Sequence, residues 1–377
     1  MISNKKIEKV FAALKKHKDI RVGFSDIDLW ADTGVYALNR KLSNTYNKGF
    51  LYGRTVGIYG EPGSGKSLLL AQTAANAQKA HNAWIIWIDV EGAVSDLKEG
   101  TKWFKQAGLD TDHDFERMHV PTFREALRTV SGFVNLWRED EETKELPPLI
   151  IIFDSYSNLQ TDSMIEQNKG KKELTQDMGQ KARQLGDFLV RVTGMIEGLR
   201  VLVAGVMHVY MSQEEYGPRH KISGGIKAAY TASQSFILTK YEMSNEKASP
   251  HNRQSNDKDD AKSNIGIRAV AQILKCRYAK PFEKVELEVV YPFGIDPYSG
   301  LFDMLVDDKT IVSPSQGWYE FTRPDGTAQK FRRAEFLKYA DELMTYPIPE
   351  RKMNKEDDPV DIFEDDISEN PKEIVDE

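Results

Sequence analysis

The stretch that decides the fold is "TVGIYGEPGSGKSLLLAQTAANAQKA", residues 55–80. It opens on a short apolar run, passes through a glycine-rich turn and continues into a segment of helical character. Gly60, Gly65, Lys66 and Ser67 match the pattern G-x-x-x-x-G-K-[ST], and the strand before it and the helix after it are the context that this pattern requires. Backbone N–H groups of such a loop converge on phosphate oxygens at a helix N-terminus. The stretch therefore predicts a site for a nucleotide phosphate.

Two side chains of this loop carry the expected chemistry. Lys66 places a positive charge near the terminal phosphates, and the Ser67 hydroxyl is a ligand for Mg²⁺. The predicted nucleotide contacts of the loop are Gly60, Glu61, Pro62, Gly63, Ser64, Gly65, Lys66, Ser67 and Leu68.

Strand and helix patterns alternate on both sides of the loop. Predicted strands cover residues 55–59, 83–89, 118–120, 149–154, 201–208 and 235–241, and predicted helices cover 66–79, 96–107, 122–137 and 177–197. Almost wholly apolar strands separated by helices predict an α/β fold with a mostly parallel central sheet that helices cover on both faces. A further helix is predicted at 5–18, an irregular stretch at 19–52, and a mobile hairpin tip or disordered loop at 244–264.

Carboxylates follow two of these strands. Asp154 ends "LIIIFDS" and is the expected second Mg²⁺ ligand beside Ser67. Glu91 follows "IIWIDVEG" and is the candidate base that activates water. Asp89 competes for that role, but the longer Glu91 side chain, placed beyond the strand end, reaches farther into the cleft.

Two basic segments follow strands that end at the same edge of such a sheet. One follows Asp154 and contains Lys169, Lys171, Lys172 and Arg183, and the other follows His208 and contains Lys221 and Lys227. Two basic loops at one edge form a possible electrostatic track for single-stranded nucleic acid. Ordinary solvated loops are the alternative interpretation.

Charge and composition bound the remaining possibilities. The net charge is −7, yet residues 356–377 hold eleven acidic residues and one lysine, so residues 1–355 carry a net +3. The acidic tail either keeps the protein soluble or competes with a polyanion for the basic surface; DNA affinity after truncation at Lys355 distinguishes the two. The single cysteine, Cys276, fits a core position in a reducing compartment. Without a signal peptide or membrane span, the expected location is the cytoplasm.

Several segments resemble RecA-type recombinases. "ISGGIKAAYTAS" (222–233) resembles the second DNA-binding loop of that family, "DMGQKARQ" (177–184) the end of the first, and "KCRYAKPFEKVELEVVYPFGIDPYSGLFDML" (275–305) the final strand pair and exit helix of the core. "GIDPYSGLFDM", followed by "VSPSQGWYEF", is most similar to the UvsX-type recombinases of tailed phages. The similarity runs in patches from about Thr55 to Phe321.

The resemblance implies an ATP-dependent recombinase in phage recombination, repair and recombination-dependent replication. It would polymerise on single-stranded DNA, pair it with homologous duplex and exchange strands, with single-strand-binding and mediator proteins as partners, in the host cytoplasm. ATP and Mg²⁺ would be held by Lys66, Ser67 and Asp154, and Ser155 and His208 would sense the γ-phosphate. Lys275 and Arg277 would enter the neighbouring subunit's site, with Arg277 standing where the family has a second lysine.

DNA contacts follow from the same resemblance. The predicted loops span about 157–182 and 209–230, with contacts by Lys169, Lys171, Lys172, Arg183, Lys221, Gly224, Gly225, Ile226 and Lys227. The glycines would let the backbone approach DNA, and Ile226 would insert at a stretched base step.

The predicted organisation has four parts. Residues 1–52 form an N-terminal helix and polymerisation segment, 53–305 the RecA-like ATPase core, 306–350 a small C-terminal region and 351–377 an acidic disordered tail. Phe24 is a candidate polymerisation anchor, Trp318 and Tyr319 are expected in the core, and no aromatic after Glu91 is suited to stack on adenine. Alternatives are a RecA-like ring helicase, an ATPase regulator without strand exchange, and a small-molecule P-loop kinase.

Overall fold

The computed structural model describes residues 9, 27–92, 103–140, 144–168, 178–211, 220–222, 226–255, 260 and 262–347. Its strands are β1 (Trp30–Ala31), β2 (Phe50–Leu51), β3 (Thr55–Gly60), β4 (Trp84–Asp89), β5 (Phe115–Met118), β6 (Leu149–Asp154), β7 (Val201–Met211), β8 (His220–Ile222), β9 (Gln234–Ser244), β10 (Asn264–Cys276), β11 (Lys284–Val290), β12 (Gly294–Ile295), β13 (Val312–Ser315), β14 (Trp318–Thr322) and β15 (Ala328–Phe331).

The helices are α1 (Tyr36–Ser43), α2 (Lys66–His81), α3 (Phe123–Glu139), α4 (Asp162–Asn168), α5 (Met178–Ile196), α6 (Ile226–Thr231), α7 (Leu301–Asp307) and α8 (Leu337–Met344). Short 3₁₀ turns occur at Tyr156–Asn158 and Arg333–Glu335. None of the described helices is both long enough and apolar enough to cross a membrane.

The main sheet has the strand order β12-β11-β10-β9-β3-β7-β6-β4-β5, with β8 paired to β7. The six strands from β9 to β5 in this order run parallel to one another, whereas β10, β11 and β12 pair antiparallel. The predicted α/β fold with a mostly parallel sheet is confirmed. Strands β7 and β9 lie on opposite sides of β3, and ligands of such sheets bind in the crevice that this arrangement creates at the carboxyl ends of the strands.

Helices cover both faces of this sheet, as the alternation along β6 shows. Ile150 and Ile152 pack in one buried cluster with residues of α2, such as Leu70. Ile151 and Phe153 pack in a second cluster with residues of α3 and α5. Because successive side chains of a strand point to opposite faces, an apolar strand needs two apolar covers.

The N-terminal part of the described chain differs from the sequence analysis. Residues 19–52 were expected to be irregular, yet 30–51 contain α1 and the antiparallel pair of β1 and β2. Asn39 shows why the polar residues of this segment did not indicate a folded element. It is fully buried, and its side chain bonds Thr33, Asp32 and the Tyr46 carbonyl. The helix predicted at 5–18 lies outside the described residues except for residue 9, and Phe24 lies outside them entirely.

Two other expectations about local structure were wrong. Strand β5 begins at Phe115 rather than at Met118, because Phe115 pairs with Ile85 of β4. The hairpin expected at 244–264 is confirmed, because β9 and β10 pair antiparallel, but its residues 245–255 were expected to be mobile or disordered and are instead folded back on the sheet, with Asn245 and Ala248 buried. The bonds that hold them come from Glu288 and Asp296, in a distant part of the chain.

A small three-stranded sheet of β13, β14 and β15 packs with α8 near the C-terminus of the described residues. Its Phe321 and Phe331 belong to the same buried cluster as the core strands. Tyr319 packs against that cluster, as expected, whereas Trp318 is 40% exposed with the Arg332 guanidinium 4.8 Å from its ring. The core position expected for Trp318 is therefore wrong.

Candidate active site

The phosphate loop connects β3 to α2 at the carboxyl edge of the sheet. Gly63 and Gly65 have φ values of 69° and 88°, a left-handed conformation that side chains other than glycine rarely adopt. A Cβ atom at Gly60 would lie 2.6 Å from the Leu238 carbonyl oxygen of β9. The three glycines are thus required by the backbone path itself, which brings the loop N–H groups to the start of α2.

Lys66 is 5% exposed and lies across the loop that it belongs to. Its Nζ donates to the carbonyl oxygens of Gly60, at 2.9 Å, and Glu61, at 2.7 Å. Burial lowers the pKa of the ammonium to about 8, against the opposing pull of Asp154 and Glu91. A second cation, Lys240 of β9, donates to the Pro62 carbonyl at 2.6 Å. Two cationic side chains, one of them from β9, therefore bond the loop backbone, as suits a polyphosphate site.

Ser67 and Asp154 meet where α2 starts and β6 ends. The Ser67 hydroxyl donates to Asp154 Oδ1 at 3.0 Å. Burial raises the pKa of the Asp154 carboxyl to about 6, although the Ser67 hydrogen bond opposes this shift. A hydroxyl and a carboxylate are the oxygen ligands that Mg²⁺ takes from proteins when a nucleotide supplies the others.

One orphaned atom also fits a phosphate. Ser64 Oγ is buried and has no hydrogen-bond partner among the described residues. Buried polar atoms are normally satisfied, so an unpaired hydroxyl inside the loop fits a ligand oxygen. The predicted Mg²⁺-nucleotide site thus has residues that suit both parts of its ligand.

Glu91 lies just beyond β4, and two side chains hold its carboxylate. Ser155 donates from its hydroxyl to Glu91 Oε1 at 2.8 Å, and His208 Nε2 lies 2.7 Å from the same oxygen. The His208 hydrogen bond, with that of Ser155, lowers the pKa of the Glu91 carboxyl. The structure thus brings the three predicted residues together, with Glu91 ionised at neutral pH and able to accept a proton.

Asp89, the competitor of Glu91, is occupied by structural bonds. It is 4% exposed, and its carboxylate accepts from Arg117 of β5 at 2.5 Å and from the Gly92 amide at 2.9 Å. The backbone oxygen of Asp89 lies 2.9 Å from His119 Nδ1. Asp89 therefore fixes the turn that presents Glu91, and the geometry favours Glu91 as the base.

Lys275 and Arg277 lie at the other edge of the sheet from the phosphate loop. Lys275 is in register with Ser235, which pairs with Gly57, whereas Gly60 pairs with Leu238. Three strand positions correspond to about 10 Å along the sheet. Lys275 Nζ donates to the Tyr230 carbonyl of α6, and Arg277 is exposed. The pair therefore lies toward the opposite end of the strands from this chain's own phosphate loop.

The predicted DNA contacts are described only in part. Arg183 is exposed on α5. Lys221 lies in β8, and Ile226 and Lys227 lie in α6. Lys169, Lys171, Lys172, Gly224 and Gly225 lie outside the described residues. Strands β6 and β7, which precede the two basic segments, are direct neighbours in the sheet.

Sequence reasoning missed several residues around the site. Arg117, Lys240, Ser157 and Lys181 each hold part of it by a hydrogen bond. Arg117 and Ser157 lie near strand ends, whereas Lys240 lies within β9 and Lys181 within α5. Tyr291 and Phe293 were also missed; they are 54% and 79% exposed just after β11, whose Val289 lies 3.5 Å from the Cβ position of Gly65. They offer an aromatic stacking surface on the phosphate-loop side of the sheet.

Comparison with known proteins gives one family and several relatives. Residues 4–296 match the family described as the RecA N-terminal domain. The chain is 26% identical over 274 residues to a protein named RecA of Leptospira meyeri, covering 72% of this chain and 62% of that protein. It is 24% identical over 280 residues to Protein RecA of Petrotoga mobilis, covering 74% and 66%. With Protein RecA of Desulforapulum autotrophicum the identity is 27% over 290 residues, covering 77% and 73%.

The matched range includes N-terminal residues where the sequence analysis found little similarity. The alignments nevertheless span less than two thirds of the lengths of the first two relatives.

Proposed function

Because this chain belongs to the RecA family, we propose that it is an ATP-dependent DNA strand-exchange recombinase. It forms a helical filament on single-stranded DNA, pairs that strand with homologous duplex, and hydrolyses ATP in response to DNA. The likeness of residues 294–304 and 312–321 to UvsX-type sequences supports a place in phage recombination, repair and recombination-dependent replication in the host cytoplasm. Single-strand-binding and mediator proteins are the expected partners.

The observation that supports hydrolysis most directly is the meeting of Glu91, Ser155 and His208 beside the phosphate loop. When bound, ATP supplies the phosphoryl group, and Mg²⁺ neutralises the charge of its phosphates. Lys66, Ser67 and Asp154 hold it, and Glu91 orients water and accepts its proton. Ser155 and His208 bond the Glu91 carboxylate, so groups placed to sense a terminal phosphate also set the position of the base.

DNA binding is proposed for the two basic segments after β6 and β7. Their lysines and Arg183 contact phosphates, which binds any sequence alike. A protein that searches for homology requires this indifference, because base pairing between the strands reads the sequence. Gly224, Gly225 and Ile226 are proposed to lie closest to the bases.

Neighbouring subunits are proposed to share each nucleotide site. Lys275 and Arg277 lie at the opposite edge from the phosphate loop, so a head-to-tail contact would carry them to the next subunit's nucleotide. There they would stabilise the charge of the transition state, as an arginine finger does in trans. Filament form and DNA affinity would then depend on ATP.

The deciding experiment measures ATP hydrolysis with and without single-stranded DNA, for the native chain and for Glu91→Gln, over a series of salt concentrations. We expect strong stimulation by DNA that weakens as salt rises, because phosphate contacts release counterions. Glu91→Gln should lower turnover by about 10²-fold or more while ATP binding remains, since general base catalysis contributes that much. If DNA does not change the rate of ATP hydrolysis by the native chain, the proposal is overturned. The remaining interpretation is then a P-loop enzyme that acts on a small molecule.

A further inference from the structure

The amide of His208 has an unusual partner. The ladder between β6 and β7 ends at the pair of Phe153 and Gly205, so His208 has no partner in β6, although it is still in register with Gly60 of β3. Its N–H donates instead to the Ser157 hydroxyl at 2.9 Å. Ser157 lies in the 3₁₀ turn that follows β6. One hydroxyl therefore replaces a strand bond at the residue that holds Glu91.

The backbone oxygen of the same serine has a second partner. Lys181, in the first turn of α5, donates from Nζ to the Ser157 carbonyl. Lys181 is half-buried, and burial lowers the pKa of its ammonium. Removing an ammonium from water costs free energy unless a hydrogen bond replaces the lost solvent. The lysine is therefore fixed to the turn rather than free in solution.

These contacts join three parts of the molecule. The first predicted DNA loop, about 157–182, ends within α5, which begins at Met178, and the second, about 209–230, begins within β7, which ends at Met211. Between them, Ser157 bonds the backbone of His208, and the imidazole of His208 bonds Glu91. A displacement of α5 would reach the Glu91 carboxylate through three hydrogen bonds, and a displacement of β7 would reach it through the single bond of His208.

We propose that Ser157 and Lys181 are positioning residues that couple the two DNA-binding segments to Glu91, so that DNA binding affects the position of this water-activating carboxylate. This inference rests on the proposed function. Neither residue belongs to the phosphate loop, since Ser157 lies in the turn after β6 and Lys181 lies in α5. Lys181 fixes the turn to α5 through the Ser157 carbonyl, and the Ser157 hydroxyl fixes the turn to β7.

The test compares Ser157→Ala and Lys181→Met with two matched controls. Ser157→Thr keeps the hydroxyl, and Arg191→Met removes an exposed cation from the same helix α5 without touching the turn. We expect DNA-stimulated kcat to fall about fivefold or more in Ser157→Ala and Lys181→Met, the range of an allosteric coupling. Their KM for ATP should change less than about twofold, because the bonds act on the chemical step and not on ATP binding. Both controls should keep native stimulation.

The double variant Ser157→Ala/Lys181→Met separates a shared path from two independent effects. If both residues act through the same turn, the double variant loses no more stimulation than the more affected single variant. Losses that multiply, or native stimulation in both single variants, would overturn the coupling while leaving the recombinase intact. A native chain that DNA does not stimulate would overturn the proposed function first, and the coupling with it.

Discussion

Asp154 shows how a single residue of the site works against the stability of the fold. Its carboxyl is buried at the end of β6, and burial raises its pKa from 3.8 to about 6. A raised pKa means that the folded state favours the neutral form. The resulting stabilisation is complete below pH 3.8 and is lost as pH rises through about 6. At neutral pH the ionised Asp154 carboxylate thus suits the binding of a ligand and does not stabilise the fold.

Replacing Asp154 by asparagine should therefore stabilise the nucleotide-free protein at neutral pH. We expect the gain in unfolding free energy over the native chain to grow by about 1 kcal/mol between pH 5 and pH 7.5. Mg²⁺-dependent hydrolysis should be lost. Urea unfolding at the two pH values measures the first effect.

The matched control for this experiment is Asp112→Asn, which changes a 65% exposed carboxylate paired with Lys105. It should show no comparable pH-dependent gain. A gain for Asp154→Asn that is equal at both pH values, or larger at pH 5, would contradict the assigned burial of the carboxylate.

Among the elements, the connection between β9 and β10 depends most on distant bonds. Glu288 of β11 is 8% exposed, and its carboxylate accepts from the Ser249 amide at 2.9 Å, the Ser249 hydroxyl at 2.7 Å and the Asn252 side chain at 2.6 Å. Asp296 accepts from Asn252 at 3.0 Å and lies 2.8 Å from His251 Nε2. Two carboxylates therefore fold 249–252 onto the edge of the sheet.

Glu288→Ala should release this connection while the sheet stays folded. Each buried donor left unpaired costs about 1–3 kcal/mol, so we expect amide exchange of 245–255 to accelerate by at least about tenfold. Hydrogen exchange detected by mass spectrometry resolves this segment from the core strands. Glu286→Ala, at an exposed position on the same strand, is the control and should leave exchange in 245–255 unchanged. Equal acceleration in both variants would show that Glu288 does not hold the connection.

The sequence could predict the elements whose structure depends on neighbouring residues. Local sequence patterns were sufficient to predict β6, whose apolar run is covered on both faces. They were also sufficient to predict the phosphate loop, because its glycines are required by the local backbone geometry. The folding of 245–255 was missed because Asn252 finds its partner Glu288 36 residues away. The bond of Ser157 to His208 spans 51 residues and joins two elements, so no local pattern reports it. Glu91 was identified because its reach beyond the strand end is a local property, whereas the role of Arg117 depends on the register of β4 and β5.

At the scale of the whole molecule, the proposed active site is divided between two subunits. Mixing Glu91→Gln with Lys275→Ala tests this division. Each variant alone should be nearly inactive. In an equal mixture, about a quarter of the head-to-tail contacts would join an intact Glu91 to an intact Lys275, and turnover should return to about that fraction of native.

The control mixture pairs Glu91→Gln with the double variant Glu91→Gln/Lys275→Ala. No contact in it contains Glu91, so it should stay inactive. An active control would point to contamination by native protein. The mixture of Glu91→Gln with Lys275→Ala could instead be as inactive as each variant alone, even though both variants join one assembly. That result would place Lys275 outside the neighbouring subunit's site.

If Lys275 and Arg277 complete the neighbouring subunit's site, as proposed, their separation from the phosphate loop would also set the stoichiometry of turnover. An open row of subunits joined in this way contains one complete site fewer than its number of subunits, because the subunit at one end has no donor of the basic pair. A lone subunit then has no working site, and a pair has one. Specific activity would accordingly rise with total protein concentration and with the length of the DNA offered, and short oligonucleotides would be poor activators even when fully bound.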